Sequence, residues 1–342
     1  MTVMSEKLRV NIVSESEISV QGHGVHTAYE EMASSLERLR NVEVIRGHFG
    51  EQVDCDIVHL HTVGPRTFRK LFQKNVKVVI SAHVVPDSFV GSLVLARFWK
   101  IFAVWYLRWF YNRADLLLAV SDQTAKELRD LGVKAPIEIM YNSIDTAKYQ
   151  STAVPRTKLR RDLDIPKSAF VVIGAGQVQP RKRVDSFIAA ARALPDVHFV
   201  WVGGMPFGKI AADNKAMQRM IDNPPVNMHF AGIVPLDQMS SYYHAADMFW
   251  LPSEQETFGL VAIEAAASGL PIMVRDIPDY DHTFGPESVR ANNDAGFTKQ
   301  IQKLRNDPRY YAKYKSLSQA IAQKFDSKQS AVRLVGLYKK LL

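Results

Sequence analysis

Short runs rich in β-branched and apolar side chains alternate with stretches of helical spacing along the 342 residues, and this alternation leaves few folds open. The runs are LRVNIV from Leu8, VEVIR from Val42, DIVHLH from Asp56, VKVVISA from Val76, DLLLAVS from Asp115 and IEIMYN from Ile137. Strands of this length with helices between them predict a parallel sheet covered on both faces. A polar, proline-marked stretch (residues 146–167) interrupts the series, which restarts with FVVIGAG, VHFVWVGG, NMHFAGI, DMFWLP and LPIMVR. Predicted helices include residues 184–194, 257–268 and an amphipathic segment at the C-terminus. Two doubly wound α/β domains in tandem are the simplest account, with a ligand cleft where their strand C-termini face each other. Length agrees, because single cores stop growing near about 250 to 300 residues.

Composition narrows the class. Apolar residues make up 47% of the chain and aromatics 10%, enough to fill two cores. The single cysteine, Cys55, excludes an internal disulfide framework and a multi-cysteine zinc site, and points to a reducing, cytosolic compartment. No export signal and no bilayer-spanning run is expected. The net charge is +8, and residues 60–113 hold nine Lys or Arg against one acid, Asp87. Such a segment attracts phosphate, whether in nucleic acid, anionic lipid or a nucleotide.

The string SEQETFGLVAIEAAASGLPIMVRD, from Ser253, carries the chemistry. Thr257 is placed to cap a helix from Phe258 to Ser268, and Gly269 before Leu270 and Pro271 is a stop signal. The helix N-terminus offers backbone N–H groups, and Gly259 lets an anion approach them without meeting a side chain. Glu256 precedes the helix and Glu264 lies two turns along it, a separation of roughly 10 to 12 Å at the helical rise. That exceeds the roughly 5 to 9.5 Å between the paired carboxylates of a glycoside hydrolase, so the two do not act on one bond. They fit one long ligand instead, one accepting from a sugar and the other from a ribose, with a diphosphate between.

This string resembles the signature of the retaining glycosyltransferases of family 4, and DIVHLH, SAH at Ser81–His83, AVSDQTAKEL, YNSID and GQVQPRKRVDSFI occur in the order that family shows. The resemblance implies the GT-B fold, two Rossmann-like doubly wound domains facing a central cleft: an acceptor- and membrane-facing domain at residues 1–147, joined by the C-terminal helix 325–342, and a nucleotide-sugar domain at residues 148–324. It implies that Glu264 binds the donor ribose, Glu256 the transferred sugar, and the backbone of Phe258, Gly259, Leu260 and Val261 the diphosphate. Lys182 matches a family lysine on the diphosphate. The family arginine is replaced by Gln177, leaving Arg181 or Arg183 to substitute beside Gly176. His83 matches the histidine near the reacting sugar, and Gly22 and Gly24 match the glycine loop before the first helix. Asn142 and Asp145 match a motif read as hinge structure.

Two patterns imitate metal sites. Asp54-Cys55-Asp56 copies a D-x-D motif but runs into a strand, and His59 and His61 share a strand face with no third ligand evident nearby. No metal and no cofactor is expected, the UDP-sugar being a substrate.

Residues 95–113, LARFWKIFAVWYLRWFYNR, separate on a helical wheel. Arg97, Lys100 and Arg108 fall on one side, and Phe98, Phe102, Trp105, Tyr106, Trp109 and Phe110 on the other. This pattern describes an interfacial helix on anionic lipid, with Arg97, Lys100, Trp105, Arg108 and Trp109 as contacts; a core helix with its aromatics turned inward is the rival. Nucleic acid is not expected, since base-stacking residues sit on sheets or exposed loops. Within family 4 the resemblance is to the diacylglycerol glucosyltransferase subgroup. It implies transfer of a hexose, an α-glucosyl or galactosyl unit, from a UDP-sugar to diacylglycerol or its monoglycosyl derivative, by a peripheral protein on the cytoplasmic face of the membrane. The alternatives are a family 4 enzyme acting on a polysaccharide or phosphatidylinositol with GDP-mannose, a related epimerase, and a non-catalytic basic membrane scaffold.

Overall fold

The computed structural model describes residues 7–15, 24–47, 52–84, 96–205, 214–256 and 258–342. They form two compact units, one built from residues up to Asp145 together with Asp326–Leu342, the other spanning Thr146–Phe325. Among the described residues the chain passes between units after Asp145 and after Phe325.

The first unit runs β1 (Leu8–Val13), α1 (Gly24–Glu37), β2 (Val42–Arg46), β3 (Ile57–Leu60), α2 (Pro65–Lys70), β4 (Lys77–Ala82), α3 (Ala96–Tyr111), β5 (Leu116–Ala119), α4 (Asp122–Asp130) and β6 (Ile137–Ile139). Its six strands pair in parallel in the order β2-β1-β3-β4-β5-β6. Successive strands buried on both faces need near-continuous apolar sequence, which is why IVHL and LLLA read as they do. One face packs α1 and the C-terminal helix Ser327–Leu341, whose Ala331, Leu334, Val335 and Tyr338 are buried against Val10, Ile12 and Tyr29. That helix is tied in at its start: Asp326 caps it through Lys328 N–H, and Ser327 N–H donates to the carbonyl of Ile144. Asp145 beside it pairs with Arg38 at 2.8 Å, and its N–H donates to Glu31.

The second unit runs α5 (Arg156–Asp162), β7 (Phe170–Ala175), α6 (Val184–Ala193), β8 (Val197–Val202), α7 (Asn214–Asp222), β9 (Met228–Gly232), α8 (Met239–Ala245), β10 (Met248–Leu251), α9 (Leu260–Ala267), β11 (Ile272–Arg275), β12 (Val289–Ala291), α10 (Asp294–Asn306) and α11 (Pro308–Lys324). Its parallel order is β12-β11-β10-β7-β8-β9. Under the sheet, Phe187 stacks on Trp250 at 5.1 Å and meets Trp201 edge-on at 5.2 Å, and these rings dominate the burial. The stretch that the sequence marks as polar is part of this unit: Arg160, 1% exposed, donates to the carbonyls of Ala245, Lys167 and Ala169 and pairs with Asp247.

Strand order reverses direction between β1 and β3 in the first sheet and between β7 and β10 in the second. In open α/β sheets ligands bind beyond the strand C-termini at such switch points. The first is followed by His61 and flanked by His83; the second by Gly176 on one side and Ser253 to Glu256 on the other.

Candidate functional site

In the second unit, β7 ends at Ala175 and the chain turns at Gly176, whose φ of +142° is open to glycine and strained for other residues. It passes through one tight turn, Pro180–Lys182, into α6. A Cβ at Gly176 would lie 3.4 Å from Cε of Lys182, so the two predicted site residues are neighbours. Lys182 turns inward, buried, and its ammonium pairs with Glu256 at the end of the β10 loop. Ser253 donates to the same carboxylate at 2.9 Å, and Arg181 stands 3.6 Å from its other oxygen. The two loops are stitched together by Arg181, which donates to the carbonyl of Gln255 at 3.1 Å and accepts from the N–H of Glu254 at 2.9 Å. Arg183, the other candidate for the missing arginine, is turned to Asp185 and Glu254. Of the two, Arg181 therefore shares the pocket of Lys182 and Glu256.

Electrostatics follow from burial and proximity. Burial pushes the Glu256 carboxyl up, but the charges of Lys182 and Arg181 outweigh it and hold the group below its usual range, as a carboxylate. Burial pulls the Lys182 ammonium below its ordinary value, against the opposing pull of Glu256. Two cations and one anion leave this corner with a net positive charge, which suits an anionic ligand.

The helix that the string predicts is present but starts later. It spans Leu260–Ala267, and its N-cap is Gly259 at φ +83°, with no side-chain cap. Thr257, the cap inferred from sequence, lies outside the described residues. Phe258 precedes the helix as a buried anchor, packed edge-on against Phe325 at 5.2 Å. Leu260 is buried and Val261 half-buried, so what this end offers outward is backbone. Glu264 is 3% exposed and accepts a 2.7 Å hydrogen bond from the hydroxyl of Tyr243 on α8. Burial and the carboxylate's charge drive the Tyr243 phenol well above its usual value, so it remains a donor. Sequence reasoning missed Tyr243 and Ser253, and also Arg275, which donates to the carbonyls of Pro252 and Asn292 and so fixes the loop beneath Glu256. The signal for Arg275 was available, a charged residue closing a fully buried strand.

In the first unit, His83 follows β4 and is 8% exposed. Its Nε2 lies 3.1 Å from Nδ1 of His61. His59 is bonded at both nitrogens, to the Tyr338 hydroxyl at 2.6 Å and the Ser81 hydroxyl at 2.9 Å. Burial depresses all three imidazoles, His83 to about 4 and His59, also by the His83 charge, to about 3, so the cluster is neutral. His59 and His61 do share a strand face, and the third imidazole beside them is His83. Among the described residues, however, no group of three or more His, Cys, Asp or Glu is placed to hold a metal ion. Asp54 is exposed and pairs with Arg9, while Asp56 accepts from the N–H of Arg9, so the D-x-D pattern is taken up by β1. Gly24 is the first residue of α1; Gly22 lies outside the described residues.

Helix α3 carries the aromatic segment, and its aromatic face divides. Phe102 and Trp105 are 67% and 68% exposed, whereas Phe110 is fully buried and Tyr106 donates to the carbonyl of Val63. Trp109, expected to face lipid, instead stacks on Phe68 at 5.4 Å with the Arg113 guanidinium 4.8 Å above its ring. Half of the helix face is thus core, because α3 must cover the sheet at its C-terminal end. Arg108 is exposed beside Trp105; the side chains of Arg97 and Lys100 lie outside the described residues.

Comparison with known proteins places these features. A family model described as Glycosyltransferase Family 4 matches residues 14–148, and one described as Glycosyl transferases group 1 matches residues 155–323. Alpha-galactosylglucosyldiacylglycerol synthase of Streptococcus pneumoniae is 34% identical over 279 residues, 80% of this chain and 74% of that one. Processive diacylglycerol alpha-glucosyltransferase of Acholeplasma laidlawii is 28% identical over 303 residues, 87% and 88% of the two chains. Among solved structures, Anabaena Alr3699/HepE in complex with UDP and glucose superposes with a TM-score of 0.76 at 19% identity, over 98% of this chain and all of that one. Two parallel six-stranded sheets, a buried Lys-Glu pair at the second switch point and these relatives agree: the chain belongs to glycosyltransferase family 4, with the GT-B fold.

Proposed function

We propose that this glycosyltransferase moves a hexosyl unit, glucose first, from a UDP-sugar to diacylglycerol or a monoglycosyl-diacylglycerol, with retention of anomeric configuration. The observation that carries the reading is the buried Lys182–Glu256 pair with Arg181 beside it, set next to a helix whose N-cap is a glycine, Gly259. Two of the relatives above act on diacylglycerol lipids by name, which supports the acceptor class.

The diphosphate lies against the backbone of Phe258, Gly259, Leu260 and Val261, with Lys182 and Arg181 balancing its charge near Gly176. As the sugar–phosphate bond breaks, negative charge grows on the leaving UDP, and groups already fixed around it lower that barrier without reorganising. Glu264, steadied by Tyr243, accepts from the ribose, and Glu256 from the transferred sugar; by the family resemblance His83 serves that sugar as well. No carboxylate is assigned as nucleophile, so the acceptor hydroxyl attacks on the face that UDP leaves, its proton passing to the departing diphosphate oxygen. Phe102, Trp105 and Arg108 meet anionic lipid at the cytoplasmic surface, where the acceptor resides; among the described residues no helix is long and apolar enough to cross a membrane.

The test is incubation of the purified chain with labelled UDP-glucose and vesicles of anionic lipid containing diacylglycerol. Labelled lipid with an α-linkage is the expected product. Transfer only to water-soluble acceptors, only from GDP-mannose, or turnover of UDP-glucose with no acceptor would each replace this reading by another.

A further inference from the structure

The proposed role of His83 leaves two imidazoles packed behind it without a function. His61 is 1% exposed, and its ring stacks on that of His83 at 5.2 Å and 25°. His59 backs it at 4.7 Å, and Tyr29 closes one side at 5.6 Å in an edge contact. His59 is held in turn by Tyr338 and Ser81, so the stack is clamped between the C-terminal helix and the ends of β3 and β4. A ring enclosed on this many sides has one orientation.

We propose that His61 is a positioning residue for transfer: its Nδ1–H donates to Nε2 of His83, fixing the plane and tautomer of that ring so that His83 turns an Nδ1–H donor toward the sugar. This rests on the reading of His83 as the imidazole beside the transferred unit. The direction of the bond follows from the other nitrogen. Nε2 of His61 is buried and meets no hydrogen-bond partner among the described residues. Were His83 the donor, neutral His61 would carry its proton on that atom, an N–H buried without an acceptor, which folded proteins rarely tolerate. With His61 donating, only a lone pair is unmatched, and His83 carries its proton on Nδ1. One hydrogen bond thereby sets what the ligand meets, as the outer partner of a functional histidine generally does.

Imidazole nitrogen–proton spectra of the full chain, with histidine 15N-labelled and His83 identified by the signals lost in His83→Gln, report the tautomer directly. Protonation of His83 on Nδ1 is expected, and protonation on Nε2 overturns the proposal without need of a further variant. His61→Phe keeps the ring shape and loses the bond; kcat should fall about ten- to a hundred-fold through misplacement of His83, with UDP affinity and melting temperature nearly unchanged. His61→Asn, whose amide sits near the Nδ1 position, should recover most of that rate. Wild-type kcat in His61→Phe, or no recovery in His61→Asn when it folds, sinks the proposal. Full transfer by His83→Gln instead removes the underlying reading of His83, so the two failures are told apart.

Discussion

At the scale of single residues, the Lys182–Glu256 pair presents the sharpest trade between stability and function. Burying two charges costs several kcal/mol each even when they are paired, so the pair is poor value as a structural device. Lys182→Ala should destabilise the second unit by about 3 to 5 kcal/mol, because it leaves Glu256 buried with its charge less compensated. Replacing both by apolar residues of similar size, Lys182→Met with Glu256→Leu, should restore stability while transfer stays abolished. Urea denaturation beside the vesicle assay checks both arms. The pH dependence should weaken. With Lys182 present the folded-state pKa of Glu256 is depressed, so its contribution is present above the ordinary carboxylate range and lost as pH falls through the folded value. In Lys182→Ala only Arg181 and Ser253 still favour the carboxylate against burial, so this loss of stability on the acid side should be smaller. A double variant that restores neither fold nor stability would mean the pair is structural.

At the scale of elements, α3 shows how far a helical wheel reaches. Periodicity separates basic from aromatic positions, but it cannot divide one aromatic face between core and solvent. That division is made by neighbours: Phe68 and Val63 receive Trp109 and Tyr106, while Trp105 is left exposed. The exposed pair forms an apolar tip beside Arg108, with Phe72, 51% exposed, close to Trp109. If the tip enters the lipid interface, Phe102→Ser with Trp105→Ser should lower partition onto anionic vesicles by about a hundred-fold or more, since burying each such ring contributes about 1.5 to 3 kcal/mol and each 1.4 kcal/mol is about tenfold. Vesicle co-sedimentation measures this, with UDP affinity expected to be unchanged. Partition equal to that of the unaltered chain would assign α3 to the core alone.

At the scale of the whole molecule, the last helix belongs to the first unit, although the entire second unit separates it in sequence. Leu334, Val335 and Tyr338 are buried in the core formed by β1 and α1. At about 2 kcal/mol each they contribute about 6 kcal/mol, a large part of the about 5 to 15 kcal/mol that holds a typical domain together. Truncation after Phe325 should therefore abolish protection from hydrogen exchange in β1 and β3 while leaving that of β7 and β8. Equal protection in both sheets would show the helix to be a passenger. Its loss would also free His59, whose Nδ1 is bonded to Tyr338.

Local pattern alone determined the two series of parallel strands apart from the short edge strand β12, which it missed, since buried strands require apolar runs whatever surrounds them, and it determined the stretch from Ser253 to Asp276, where spacing puts a carboxylate before a helix and another within it. Lys182 and Gly176 were also legible, as a lysine and a glycine just past a strand. Only tertiary structure decided that Arg181 rather than Arg183 shares the pocket with Glu256, that Tyr243 holds Glu264, that Trp109 turns inward, and that His59, His61 and His83 form one stack under Tyr338. The reason is physical. Periodicity reports which face of an element is apolar, but hydrogen-bond partners are chosen by which elements lie side by side, and that depends on strand order, which no short stretch of sequence encodes.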